Sequence, residues 1–259
     1  MTRSSFAAAM AAGLLFSAIG MIDGAAAEAA EIKVLTSVAL TSALDELAPR
    51  FERATGNKLS IGYGLIADIK KRIVAGETAD VIILSRPAMD DLQKQDKIAP
   101  GSIANVVGTP VAIAVRAGAP KPDISSADAL KRSLLAAKSI VYADPAKGGA
   151  SGVYFAHVVE QLGIAEQLKS RTILVPGAQA ADVVAKGEAE IGVGQASEIV
   201  PVSGAQLVGP LPGELGSVTK FTAGIGAGSK ASEAGKSLIQ FLRGPEAAPV
   251  FKSKGLQPG

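Results

Sequence analysis

The best local signal for chemistry is the loop Asp144-Pro145-Ala146-Lys147-Gly148-Gly149-Ala150-Ser151-Gly152, which sets an acid, an ammonium and a hydroxyl around paired glycines. Paired glycines let a backbone approach a ligand closely, and Ser151 sits at an N-cap-like position before the apolar pattern Val153–Leu162. A second polar group, Gln195 with Ser197 and Glu198, closes an apolar strand-like run and offers a polar wall. Thr36 and Ser37 place hydroxyls at the carboxyl end of another such run, Ile32–Leu35. Three cations stand near comparable ends: Arg86 after Val81–Leu84, Arg116 after Val111–Val115, and Lys147 in the glycine loop. Guanidinium forks hold carboxylates bidentately, so two of these groups could seat a di- or tricarboxylate. Tyr63 ends Leu59–Tyr63, and Tyr154 lies on the first turn after the glycine loop; both could face a cleft.

Composition excludes several other chemistries. The chain has no cysteine, so disulfides, thiolate metal sites and cysteine nucleophiles are ruled out. His157 is the single histidine, which argues against transition-metal binding; neither a metal nor a cofactor is expected. The three tyrosines are not adjacent, as a paired-tyrosine ferric site would need. A formal charge of +2, spread without a basic block and with few aromatics, does not suit nucleic acid. No serine–histidine–acid pattern, phosphate loop or dinucleotide fingerprint is present.

Met1–Ala27 reads as a secretory signal: Arg3, a mostly apolar stretch Phe6–Ile22, then Ala25-Ala26-Ala27 as a small-residue cleavage site. The mature chain is expected to begin near Glu28. It contains no apolar run long enough to span a bilayer, so a soluble periplasmic protein, monomeric, is expected.

These candidate groups need a scaffold, and the chain alternates strand-like with helix-like runs. Strand-like runs are Ile32–Leu35, Leu59–Tyr63, Val81–Leu84, Val111–Val115, Ser139–Tyr142, Arg171–Leu174 and Glu190–Gln195. Helical patterns are Ile66–Ala75, Ala88–Gln95, Ala127–Ala136, Ser151–Leu162, Ala180–Lys186 and Ser232–Arg243. A further helix follows Ser37, with Leu40, Ala43, Leu44, Leu47, Phe51 and Ala54 at three- and four-residue spacing; Pro49 predicts a kink and Gly56 a stop. This alternation predicts a doubly wound α/β architecture. Helix starts at the carboxyl edge of a parallel sheet present free N–H groups and a positive dipole end, which suits an anion.

Four stretches in order resemble the periplasmic molybdate-binding family of substrate-binding proteins: VLTSVALTSALDELAPRFERATG, RIVAGETADVIILS, VYADPAKGGASGVYFAHVVEQLGI and IQFLRGPEAAPVFKSKGL. The resemblance implies two lobes joined by two strand crossovers, with residues 31–110 plus 225–259 in one lobe and 111–224 in the other. It implies an oxyanion held by hydroxyls and backbone N–H groups. The family's first-loop serine falls on Ala39, with Thr36 and Ser37 as substitutes upstream. Its serine-rich second loop falls at Gly64-Leu65-Ile66-Ala67, where no hydroxyl remains. Backbone donors fall near Gly149 and Ser151, and near Gly177 and Ala178; the family's tyrosine falls on Gln195. With those hydroxyls missing, molybdate itself is not the expected ligand. The first expectation is a solute-binding protein that delivers another small anion, organic acid or oxyanion, to an ABC importer. The alternative comes from a similarity to periplasmic aconitate isomerases, carried by DPAKGGASGVYF and GQASEIVPVSG. In that case Asp144 and Glu198 are the candidate general bases, with the choice between them open.

Overall fold

The structure is a computed structural model that describes Met1 and residues 29–259; the remainder of the expected signal segment and its cleavage site lie outside the described residues. In chain order the elements are β1 (Glu31–Ser37), α1 (Thr41–Thr55), β2 (Lys58–Gly64), α2 (Ile66–Val74), β3 (Val81–Ser85), α3 (Arg86–Lys94) and β4 (Ala104–Arg116). There follow α4 (Ala127–Ala136), β5 (Ile140–Ala143), α5 (Ala150–Gln161), α6 (Ala165–Leu168), β6 (Thr172–Val175), α7 (Ala180–Lys186), β7 (Ile191–Gln195) and α8 (Ala196–Ile199). The chain closes with β8 (Ala205–Pro210), β9 (Val218–Ile225), α9 (Ser232–Arg243), α10 (Ala247–Ser253) and β10 (Gln257–Pro258).

The sheet runs β2-β1-β3-β9-β4-β7-β5-β6, with β8 and β10 also paired to β4. β1 is parallel to β2 and β3, and β5 is parallel to β6 and β7. β4 and β9 run antiparallel between these two groups. β4 changes partner along its length: Ala104–Pro110 face β9, while Val111–Arg116 face β7 and β8. One strand thus belongs to both halves of the molecule.

Each half is a sheet covered on both faces. Along β1 the side chains alternate, as a pleated strand requires. Ile32 and Val34 pack with Leu44, Leu47, Phe51, Leu238 and Phe251, whereas Leu35 packs with Ile69, Ile73 and Leu92 on the other face. In the second half, Val111, Ile113 and Ile140 meet Leu130, Leu134, Phe155 and Val158. Ala112, Ala114 and Val141 face small clusters that include Ala181, Val184 and Ile199. Nearly every side chain named here is fully buried, and burying one Leu, Ile or Phe side chain contributes about 1.5–3 kcal/mol.

The elements listed from the sequence are present, with shifts at their ends. α1 runs unbroken through Pro49 and ends at Gly56, whose φ of 77° accepts the left-handed turn. β4 is far longer than the Val111–Val115 expected, because Gly108 and Pro110 interrupt the pattern of its first part. Pro110, which has no N–H to donate, stands where the strand changes partner. The short α6, α8 and β10 escaped periodicity because a four-residue helix or two-residue strand has none to show; β8, β9 and α10 were also absent from the runs read by periodicity. Among the described residues no helix is long and apolar enough to cross a membrane.

Asp80, 9 % exposed, ties this frame together. Its carboxylate accepts hydrogen bonds from Lys33 N–H (2.9 Å), Ser229 hydroxyl (2.8 Å), Lys230 N–H (2.9 Å) and Ala231 N–H (3.0 Å). It thereby joins β1, the start of β3 and the entry to α9. Burial pushes this carboxyl up, but the four donors outweigh it and hold it below the usual aspartate range.

Candidate functional site

The carboxyl ends of β1, β2, β5, β6 and β7 meet at one small, partly open cavity between the two halves. Five helix starts face it. Ser37, Val38 and Ala39 begin the 3-10 turn that leads into α1, and Leu65 and Ile66 begin α2. Gly149, Ala150 and Ser151 begin α5; Gly177 and Ala178 lead to α7; Gln195 and Glu198 belong to the start of α8. Phe221 of β9 supplies an apolar wall. Helix starts leave backbone N–H groups without intrahelical partners, so their convergence offers an anion neutral donors, although the Ala39 and Ser197 N–H groups are already engaged by the Ser37 and Thr109 hydroxyls.

The cleft is closed. A Cβ placed on Gly148 would sit 2.6 Å from the Ala67 Cβ across it, and one on Gly177 would sit 4.0 Å from the Leu65 side chain. Gly148 has φ 74°, so the loop needs glycine there for both conformation and space. Gly152 is equally constrained, since a Cβ there would collide with the Ala143 carbonyl at the end of β5.

Ser37 and Ser151, both buried, bring hydroxyls to the cavity. The Ser37 hydroxyl accepts the Ala39 N–H at 3.3 Å and so orders the first turn. Gln195 donates through Nε2 to the Thr219 hydroxyl at 2.8 Å, which links β7 to β9. The Ser197 N–H donates to the Thr109 hydroxyl at 3.2 Å, and this bond fixes the start of α8 against β4.

Glu198 is the one ionisable group among the cavity-lining residues. It keeps only partial accessibility, and its Oε2 accepts a single hydrogen bond, from the Gln195 N–H at 3.2 Å. Burial raises its carboxyl to about 7, and that one bond opposes the rise without cancelling it. At neutral pH the carboxyl therefore exchanges a proton readily, in a space otherwise lined by N–H, hydroxyl and apolar groups.

The other residues singled out from the sequence fall elsewhere. Thr36 is buried one residue before the cavity, with its hydroxyl donating to the Ile83 carbonyl at 3.1 Å. Gly64 pairs with Ser37 in the sheet, and the Ile69 side chain occupies the space beside it. Tyr63 packs on the core beside α1 and donates its hydroxyl to Asp45 at 3.0 Å. Asp144 caps a short turn by accepting the Ala146 N–H at 2.9 Å, and the exposed Lys147 ends that turn. Neither lines the cavity. Arg116 lies against Gly187, five residues along β4 from Val111, roughly 16 Å at strand rise. Arg86 and Tyr154 line a separate open groove; Arg86 pairs with Asp90 at 2.8 Å, and Tyr154 donates to the Leu215 carbonyl at 3.2 Å. The structure thus gathers Ser37, Ala39, Gly149, Ser151, Gly177, Gln195 and Glu198, and leaves the cations outside. Leu65 and Ile66 line the cavity from the loop matched to the family's second loop, whereas Val38, Thr109, Thr219 and Phe221 were not singled out, because they contribute backbone, packing or second contacts.

Comparisons with known proteins agree with this architecture. A family model described as bacterial extracellular solute-binding protein matches residues 32–257. An aconitate isomerase from Pseudomonas sp is 34% identical over 233 residues, covering 88% of this chain and 87% of the relative. The molybdate-binding protein ModA of Azotobacter vinelandii is 30% identical over 261 residues, covering 97% of this chain and 96% of the relative. The solved periplasmic molybdate-binding protein of Azotobacter vinelandii superposes with a TM-score of 0.70 at 20% identity, covering 87% of this chain and 98% of that one.

Proposed function

The chain belongs to the bacterial extracellular solute-binding protein family, and from that premise we propose that it isomerises a small unsaturated polycarboxylate of the aconitate type in the periplasm. The observation that carries this reading is Glu198: a carboxyl raised to about 7 inside an anion cage of helix starts. A site that only holds an anion gains nothing from a second negative charge. A site that moves a proton needs one group that is half ionised at working pH. The 34% identity to an aconitate isomerase points the same way.

The chemistry balances with this one residue. The Glu198 carboxylate takes a proton from the methylene carbon that lies between the double bond and a carboxylate. The C–H electrons spread into an allylic anion and onto the adjacent carboxylate oxygens, where the N–H groups of the helix starts stabilise them. Glu198 then returns the proton to the former vinyl carbon, and the double bond has moved by one position. The closed cleft excludes water, which keeps the carbanion from other proton donors. Asp144 is committed to its own turn and does not face the ligand.

Opening and closing would run through β4 and β9, with residues 31–110 plus 225–259 moving against 111–224. Export would remove Met1–Ala27.

A second reading, a carrier for an ABC importer, draws on the family and on the absence of any cation among the cavity-lining residues. One experiment separates the two: purified mature protein is incubated with cis-aconitate, and trans-aconitate is followed by chromatography. Sustained turnover, lost in Glu198→Gln, supports the isomerase. Binding without turnover supports the carrier.

A further inference from the structure

Beside the inner cavity lies an open groove of about 590 Å³, lined from both halves. The two spaces adjoin, since Ile66 and Ala150 line both. Their chemistry differs sharply. The cavity-lining residues include no cation, whereas the groove carries Arg86, His157 and Lys220 and no acid among its lining residues. Arg86 shares its Nε with Asp90 at 2.8 Å, and the His157 ring lies 3.5 Å from Glu160. Lys220 has no ion-pair partner among the described residues, so it is the uncompensated charge. Val153 and Val218 are 39% and 43% exposed and line the same groove.

We infer that this groove is an outer carboxylate subsite of the same cleft, in which Lys220 and Arg86 hold the carboxylate that the inner cavity cannot take. The inference rests on the polycarboxylate reading above and adds the residues that would select three carboxylates over two. An inner cage of neutral donors suits one or two carboxylates, but a tricarboxylate brings further negative charge. That charge needs a counter-ion and an exit toward solvent; the adjoining groove is lined by cations and is open. The exposed valines would cover the carbon chain between the two ends. The wall is also tied to the inner site: Thr219, the neighbour of Lys220, accepts the hydrogen bond from Gln195 of the cavity.

The test is calorimetry on the full mature chain with two saturated, unreactive probes, tricarballylate and glutarate. Both variants, Lys220→Gln and Arg86→Gln, change exposed side chains, and a melting curve checks that each folds as wild type does. Losing one charge-assisted contact should weaken tricarballylate about tenfold in Lys220→Gln, and about threefold in Arg86→Gln because Asp90 already shares that guanidinium. Glutarate should change by less than about twofold. Equal losses for both probes, or no loss for either, would overturn the subsite while leaving wild-type aconitate turnover, and so the isomerase reading, intact. Failure of wild type to bind tricarballylate would remove the subsite, and failure to turn over aconitate would remove the isomerase reading alone.

Discussion

Asp80 and Glu198 are both acids held inside this protein, and their environments drive them in opposite directions. Four donors converge on Asp80 and hold its carboxyl low. One donor reaches Glu198, and burial raises its carboxyl to about 7. The number of hydrogen bonds, not burial alone, decides the sign. Asp80 stays an anion that organises backbone; Glu198 titrates near neutral pH in the lining of the cavity.

The sharpest way to break this comparison is Glu198→Gln. Under the isomerase reading kcat should fall 10²–10⁴-fold, the usual contribution of a general acid–base group, with the fold unchanged. Aconitate turnover at wild-type rate in that variant would leave Glu198 without a catalytic role.

The corresponding change at Asp80 should act on stability instead. Asp80→Ala strands three backbone N–H groups and one hydroxyl, and should cost about 3 kcal/mol in denaturant unfolding. Because the folded carboxyl titrates below its unfolded value, its contribution is complete above the normal aspartate range and is lost as pH falls through the lowered pKa. A wild-type acid-unfolding curve that matches the variant's would contradict this.

Glu198 works with the reverse sign. Its folded form keeps a proton that the unfolded chain releases, so between pH 4.5 and about 7 stability falls as pH rises. The full span amounts to about 3 kcal/mol. Glu198→Gln removes that loss and should melt about 6–12 °C above wild type at pH 8, with little difference at pH 4.5. Parallel melting curves across that window would mean the carboxyl is not raised.

The smallest effect concerns oxyanions. A fully deprotonated dianion such as molybdate shares the cavity more favourably with protonated Glu198 than with its carboxylate. Calorimetry should show weak molybdate binding that falls roughly tenfold from pH 6 to pH 8. Tight, pH-independent binding would show that Glu198 does not face the anion.

Much of this was legible in the residues. The spacing of Leu40, Ala43, Leu44, Leu47 and Phe51 marks a helix, and the apolar run Ile32–Leu35 marks a strand, because periodicity records which face is buried. The loop at Gly149–Ser151 and the strand end at Gln195 stand out because glycine pairs and polar strand ends are rare inside apolar runs. Arg86, Arg116 and Lys147 drew attention by charge alone, and charge does not report position. Whether Asp144 or Glu198 faces a ligand was equally undetermined, since both follow strands in similar loops.

Sequence by itself therefore determined the alternation of elements, the weakly charged, cysteine-free composition and the helix starts that could hold an anion, all of which are local properties. Tertiary structure alone decided which starts meet. It set Ser37, Ser151 and Gln195 around one cavity, turned Asp144 onto its own turn, left Glu198 with a single donor, and sent Arg116 to the far end of β4. The physical reason is that a pKa and a binding site depend on distances between residues far apart in the chain, which are set by tertiary pairings such as those of β4 with both β9 and β7.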